Sequence, residues 1–327
     1  LDADTGIVTW EKEMPADPRI TALHLWPGTA DRLIVERLPD TDNKQSRASL
    51  LTLTASKDEK PQDIRMEHPI RRLVGIPDSS DILLLDASAT NRLHRLDNEG
   101  SKIWSWQAEE GSPVIEVTML AGNHASGSSV VAVAEASGRV TALNPETGIS
   151  VWTINNTGHG SHVIAGTFRQ DSHDWIAITR NGIIRIWDTN ERRLKRSIHG
   201  SGCRPRKVSF SSTGERALLH GDDGSVELWD LIASVRLNTL PADPKRVESI
   251  IALDGSYFLT GTKSGDLSLY LPQEITPVWV RELLPAGIDS LHFLAEHFVF
   301  AKSHDGFATT WKLPTPGNKT LSAPSDR

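Results

Sequence analysis

The chain has 327 residues, 38% of them apolar and 24% charged, enough to bury a full core. Its 35 Lys and Arg stand against 42 Asp and Glu, and the net charge of −7 argues against general nucleic-acid binding, whose footprint is a basic surface. No apolar run reaches the roughly 18 residues of a spanning helix, and the lone Cys203 excludes an internal disulfide and a cysteine-built metal site while fitting a reducing compartment.

Taken in order, the chain opens on Ile7 to Met14, which has the pattern of an outermost strand with no strands ahead of it. Seven segments then carry the alternating or continuous apolar character of an innermost strand: Ile20 to Leu25, Ile70 to Ile76, Val114 to Leu120, His162 to Phe168, Lys207 to Phe210, Val247 to Leu253 and Ile288 to Leu294. Turn chemistry follows several of them, as in Trp26-Pro27-Gly28, Pro77-Asp78-Ser79-Ser80, Ser212-Thr213-Gly214 and Asp254-Gly255. Between them recurs a strand led in by Gly and ended by a hydrophobic residue. Its clearest copies are Gly182 to Trp187, Gly224 to Trp229, Gly265 to Tyr270 and Gly306 to Trp311, and its divergent ones Arg47 to Leu53, Asn91 to Leu96 and Gly138 to Leu143.

From Asn91 onward the copies start 47, 44, 42, 41 and 41 residues apart, at Asn91, Gly138, Gly182, Gly224, Gly265 and Gly306. Such a period predicts an all-β fold, a seven-bladed β-propeller of four antiparallel strands per blade, spanning 1–313 as one domain. The last repeat supplies three strands and then dissolves into Leu313-Pro314-Thr315-Pro316, so the N-terminal outer strand is expected to complete the seventh blade and remove two open edges. The tail 314–327, rich in Pro, Ser and Thr, is predicted to be disordered. Polar loops are expected at Asp40 to Arg47, Ser56 to Asp63 and Gly122 to Ser129. The start at Leu1, inside a repeat, points to a piece of a longer protein.

The Trp187-Asp188 and Trp229-Asp230 endings, with Gly221-Asp222-Asp223-Gly224 ahead of one, resemble WD40 repeats. Leu1-Asp-Ala-Asp-Thr-Gly-Ile-Val-Thr-Trp10 and Leu143-Asn-Pro-Glu-Thr-Gly-Ile-Ser-Val-Trp152 match each other in residue type and resemble the turn-plus-outer-strand signature of quinoprotein-like propellers. The resemblance covers nearly the whole chain and implies a rigid platform. Its quinoprotein half raises an enzyme or cofactor-binding alternative, against which stand seven blades and a single Cys. The Gly-His pair that opens many WD40 repeats is absent in register.

Eight tryptophans, Trp10, Trp104, Trp106, Trp152, Trp187, Trp229, Trp279 and Trp311, fall at or near equivalent positions, which reads as packing between blades. No helical histidine pair and no Gly-x-Ser-x-Gly elbow occurs. Asp222 and Asp223 read as caps of a tight turn, and His159 and His162 as parts of a solvated loop. The feature above background is basic: Arg192, Arg193, Lys195, Arg196, Arg204, Arg206 and Lys207 crowd together in an acidic chain, with Arg19, Arg71, Arg72, Lys245 and Arg246 in parallel loops. The bland alternative for Arg192 to Arg196 is a solvated outer strand. The expected function is a non-catalytic protein–protein interaction scaffold within a larger protein or assembly. No cofactor and no metal is expected. Arg71, Arg72, Arg204, Arg206 and Lys207 are the expected partner-binding residues, taking an acidic or phosphorylated segment. A basic-face nucleic-acid adaptor is a further alternative.

Overall fold

Short apolar runs separated by Gly, Asp, Ser and Pro turns leave the chain no choice but strands, and every regular element among the described residues is β. The computed structural model describes residues 20–25, 32–37, 47–52, 62–65, 68–88, 91–109, 111–120, 129–169, 172–200, 202–295, 298–305 and 307–314. The expected strand from Ile7 to Met14, Arg19, Trp26, and nearly all of the three polar loops and the tail lie outside them.

Two compact units emerge, divided between Asn156 and Thr157. The first unit contains three four-stranded sheets: β1 (Ile20–Leu25), β2 (Arg32–Arg37), β3 (Arg47–Thr52) and β4 (Gln62–Arg65); β5 (Ile70–Gly75), β6 (Ile82–Asp86), β7 (Arg92–Leu96) and β8 (Lys102–Gln107); β9 (Val114–Leu120), β10 (Val130–Glu135), β11 (Val140–Leu143) and β12 (Ser150–Ile154). The second contains β13 (Val163–Arg169), β14 (Asp174–Thr179), β15 (Ile184–Asp188) and β16 (Arg193–Ile198); β17 (Pro205–Phe210), β18 (Arg216–Gly221), β19 (Val226–Asp230) and β20 (Val235–Leu240); β21 (Arg246–Ile251), β22 (Phe258–Thr262), β23 (Asp266–Tyr270) and β24 (Trp279–Glu282); and the three described strands β25 (Ile288–Ala295), β26 (Phe298–Ser303) and β27 (Ala308–Lys312). In each sheet the strands pair antiparallel in sequence order, the repeated meander of a propeller blade.

The second strand of a sheet tends to be buried on both faces. β10 is buried along its whole length and so is β14. Within the first unit Leu83, Leu85 and Leu93 pack against Val117, Val131 and Val133; within the second, Ile176 and Ile178 pack against Ala217 and Leu219. Each such side chain contributes about 1.5–3 kcal/mol on burial.

Tryptophan adds a lock between sheets. Trp104 of β8 donates its indole N–H to the Pro145 carbonyl of the next sheet at 2.7 Å, and its ring lies against Gly148. A Cβ at Gly148 would come within 2.8 Å of the indole, and the backbone there has φ of +69°, so the Thr147-Gly148 turn is the socket and Trp104 the plug. Arg95 secures the same turn, donating to the Pro145 carbonyl at 2.7 Å and pairing with Asp81 at 2.8 Å and Glu146 at 2.7 Å. The expectation that a repeated tryptophan packs one sheet on another holds for Trp104.

One irregularity repeats in all seven sheets. The first strand pairs its first residue, skips one, and resumes, leaving a bulge at Thr21, Arg71, Ile115, Ile164, Arg206, Val247 and Asp289. A bulged residue leaves the ladder and its side chain is re-aimed. Two of the seven bulges carry arginine.

Candidate functional site

The site is assembled in the second unit from the segments that lead into β13 and β17 and from the hairpins beside them. The lead-in of β13, Thr157 to His162, is fixed from below by three side chains. Trp187 donates its indole N–H to the Thr157 carbonyl at 3.2 Å, Trp175 to Thr157 Oγ1 at 3.3 Å, and Arg185 to the Gly158 carbonyl at 2.9 Å. Trp175, which falls outside the repeat register, is fully buried, meets Phe168 in a tilted contact at 4.5 Å between centroids, and fills the space that Gly166 leaves by lacking a side chain. Arg185 is buried too, and no carboxylate lies within ion-pair distance of it among the described residues. Burial pulls its guanidinium below the ordinary arginine value.

Above this floor the β14–β15 hairpin is tied back by the Arg180 N–H donating to the His162 carbonyl at 3.0 Å. Gly182, at φ of +76°, brings the hairpin against the next sheet: a Cβ there would stand 2.4 Å from the Cys203 carbonyl. The lead-in of β17 then runs Cys203-Arg204-Pro205-Arg206, joined to the β18–β19 hairpin through the Asp222 N–H and the Arg204 carbonyl at 3.1 Å. Between the two lead-ins lies an open cavity of about 910 Å³, lined among others by Ser161, His162, Arg180, Asn181, Arg204 and Arg206, with Asp222 the one carboxylate in its lining.

Four of the five sequence-predicted cations occupy two positions of the repeat, and the fifth, Arg204, lies in the lead-in just before β17. Arg71 and Arg206 are bulge residues, and Arg72 and Lys207 follow them directly. The residues after the bulge are engaged sheet to sheet: Arg72 pairs with Glu116 of β9 at 2.9 Å and Lys207 with Glu248 of β21 at 2.6 Å. Burial pushes the Glu116 carboxyl up against the opposing pull of Arg72. The bulge residues make lighter contacts. Arg71 donates to Asn91 Oδ1 at 2.8 Å, and Arg206 donates to the Val247 carbonyl. Arg204 and Arg206 line one cavity, Lys207 adjoins it in β17, and Arg71 and Arg72 belong to the first unit.

Lys195, Arg193, Arg196 and Arg246 have partners of their own. Lys195 pairs with Asp174 at 2.7 Å and Asp188 at 3.1 Å, Arg193 with Glu191, and Arg196 donates to the Ile232 carbonyl at 3.0 Å. Arg246 donates to the carbonyls of Gly224 and Pro241. Asp223 caps its turn by accepting from the Ser225 N–H at 2.9 Å, which lowers its carboxyl.

Sequence reasoning missed Arg180 and Asn181, which sit in a hairpin and carry no charge run of their own. It missed His220 as well, whose Nδ1 lies 3.0 Å from Ser249 Oγ. Burial, with Arg206, Arg246 and Lys207 nearby, lowers His220 to about 4, so the imidazole is neutral at neutral pH. The Cys203 thiol is pushed up to about 11 by burial and by Glu227, Asp223 and Asp222, against the hydrogen bond from Ser225 that lowers it, and stays protonated.

Known proteins align with this architecture. Telomerase protein component 1 from Rattus norvegicus is 30% identical over 91 residues, 28% of this chain, and the match spans 4% of that protein's length. The crystal structure of BamB from Moraxella catarrhalis matches in fold with a TM-score of 0.61 at 15% identity, covering 87% of this chain and 82% of that one. A family model described as outer membrane protein assembly factor BamB, with PQQ-type repeats, matches residues 1–234. Quinoprotein-like repeats were one half of the mixed signature in the sequence, and on that match the chain belongs to the BamB-like family of PQQ-type β-propellers.

Proposed function

We propose that the chain is a non-catalytic protein-interaction scaffold, a seven-bladed ring with WD40-like blades over 1–313, serving a larger protein or assembly. On this reading the strand from Ile7 to Met14 closes the ring beside β27, and the Arg71, Arg72, Arg204, Arg206 and Lys207 face takes an acidic or phosphorylated segment of a protein partner. The observation that carries it is the repeated bulge: it turns Arg71 and Arg206 out of the ladder, where neither has a carboxylate within ion-pair distance among the described residues. The family description, an assembly factor for other proteins, supports the scaffold role. The protonated Cys203 and the neutral, hydrogen-bonded His220 are poor nucleophile and acid–base candidates.

Arg204 and Arg206 are the residues to reverse. Lys207→Glu would set a second carboxylate against buried Glu248 and confound binding with folding. Arg204→Glu with Arg206→Glu should abolish partner capture from a lysate and leave the melting temperature within a few degrees of wild type. Capture surviving that reversal would move the partner site to another face. Removal of residues 1–14 should lower the melting temperature markedly or cause aggregation by exposing a sheet edge, and an unchanged melting curve would sink the ring closure.

A further inference from the structure

The lead-ins of the fourth and fifth sheets enclose more positive charge than the scaffold uses. Arg180, Arg204 and Arg206 line one cavity, and none of the three has a carboxylate within ion-pair distance among the described residues. Arg185, which holds the Gly158 carbonyl of the same β13 lead-in, is buried with no carboxylate within ion-pair distance among the described residues. A buried cation without a counter-ion is unfavourable, and an anion bound nearby relieves that. At the equivalent position of the fifth sheet's third strand stands Glu227, which Arg236 meets at 3.3 Å, so the lack of a partner is particular to Arg185.

We propose that this cavity is a phosphate-monoester site that takes a phosphorylated serine or threonine in an extended segment of a partner protein. The forks of Arg180 and Arg204, with the Arg206 guanidinium tethered to the Val247 carbonyl beside them, outnumber the lining's single carboxylate, Asp222, and offer more donors than the two oxygens of an Asp or Glu side chain use well; a phosphate presents three strong acceptor oxygens and close to two charges. Ser161 and Asn181 add neutral donors to the lining, and the lead-in that carries Ser161 and His162 is held rigid by Trp175, Trp187 and Arg185, so little ordering is lost on binding. At about 910 Å³ the open cavity has room for residues flanking the phosphate. The proposal rests on the acidic-or-phosphorylated-segment reading and narrows it.

The test uses the full chain immobilised against three matched degenerate peptide libraries, centred on phosphoserine, glutamate and serine. Wild type should retain the phosphoserine library at least about tenfold over the glutamate one. Arg180→Ala and Arg204→Ala should each lower that retention by about tenfold or more, and Arg180→Lys, which keeps the charge and loses the fork, should not restore it fully. Arg193→Ala, on the rim, should leave it unchanged. Equal retention of the glutamate library would overturn the phosphate site while leaving the acidic-segment reading intact. Phosphoserine retention indifferent to Arg180 and Arg204 would overturn it by placing the site elsewhere. Retention of none of the libraries would overturn both.

Discussion

Two basic stretches only a few residues apart, Arg192 to Arg196 and Arg204 to Lys207, meet opposite fates in the second unit. In the first, Lys195 occupies the bulge of the outer strand and reaches Asp174 and Asp188, while Arg193 and Arg196 bond to Glu191 and to the Ile232 carbonyl. In the second, only Lys207 has a carboxylate, and Arg204 and Arg206 stay exposed at a cavity. Charge density alone does not separate a solvated, tied-down strand from a binding surface. What separates them is whether the repeat supplies an acid at the matching register position of the next strand.

The largest effect should come from breaking the platform under the outward stretch. Trp175→Ala removes a fully buried indole that supports the Thr157 lead-in, and should cost about 3–5 kcal/mol by denaturant unfolding. A loss below 1 kcal/mol would mean that the lead-in is not held from below.

Next is a test in the first unit, where the equivalent β6–β7 hairpin turns its polar group inward. Asp86 accepts from Ser88 Oγ at 2.6 Å and from the Arg92 N–H at 2.9 Å, with His94 Nε2 at 3.7 Å. Burial alone would raise its carboxyl, but His94, Ser88 and the Arg92 N–H outweigh burial and hold it at about 2, against an ordinary 3.8. Because the folded value is depressed, Asp86 stabilises the fold fully above the ordinary value, and that contribution fades as pH falls towards 2. Asp86→Asn should therefore be less stable than wild type by roughly 2 kcal/mol at pH 7, with the difference shrinking in acid. A difference constant between pH 7 and pH 3 would assign the loss to packing instead.

The smallest effects belong to the rim. Lys195→Met should cost about 1 kcal/mol at neutral pH, since the ammonium is partly solvated, and the cost should fall away in acid as the lowered Asp188 carboxyl finally takes a proton. Arg193→Ala should leave the melting temperature unmoved, its pair with Glu191 being exposed on both sides.

The strand plan was legible because propeller blades repeat turn chemistry along with apolar runs. Val114–Leu120 and Ile20–Leu25 fall where the sequence placed them, and the glycines that lead the third strands β11, β15, β19 and β23, namely Gly138, Gly182, Gly224 and Gly265, adopt the positive φ their turns demand. Trp104 was legible as packing between blades for the same reason. The engagement of Arg72 with Glu116 and of Lys207 with Glu248 was not, since the partners stand 44 and 41 residues apart and meet only through the bulge register. Arg180 escaped because a lone arginine in a hairpin is unremarkable until the next lead-in is folded beside it.

The bulge that opens every first strand has an evolutionary meaning. Its residue stands outside the hydrogen-bond ladder, so exchanging it leaves the register of the sheet untouched. Thr21, Arg71, Ile115, Ile164, Arg206, Val247 and Asp289 share little chemistry although the backbone around them is the same. Where the bulge residue is exposed, as at Arg71, Arg206 and Asp289, the repeat carries a letter that mutation can rewrite, and a descendant of this chain could change what it recognises one letter at a time without relearning how to fold.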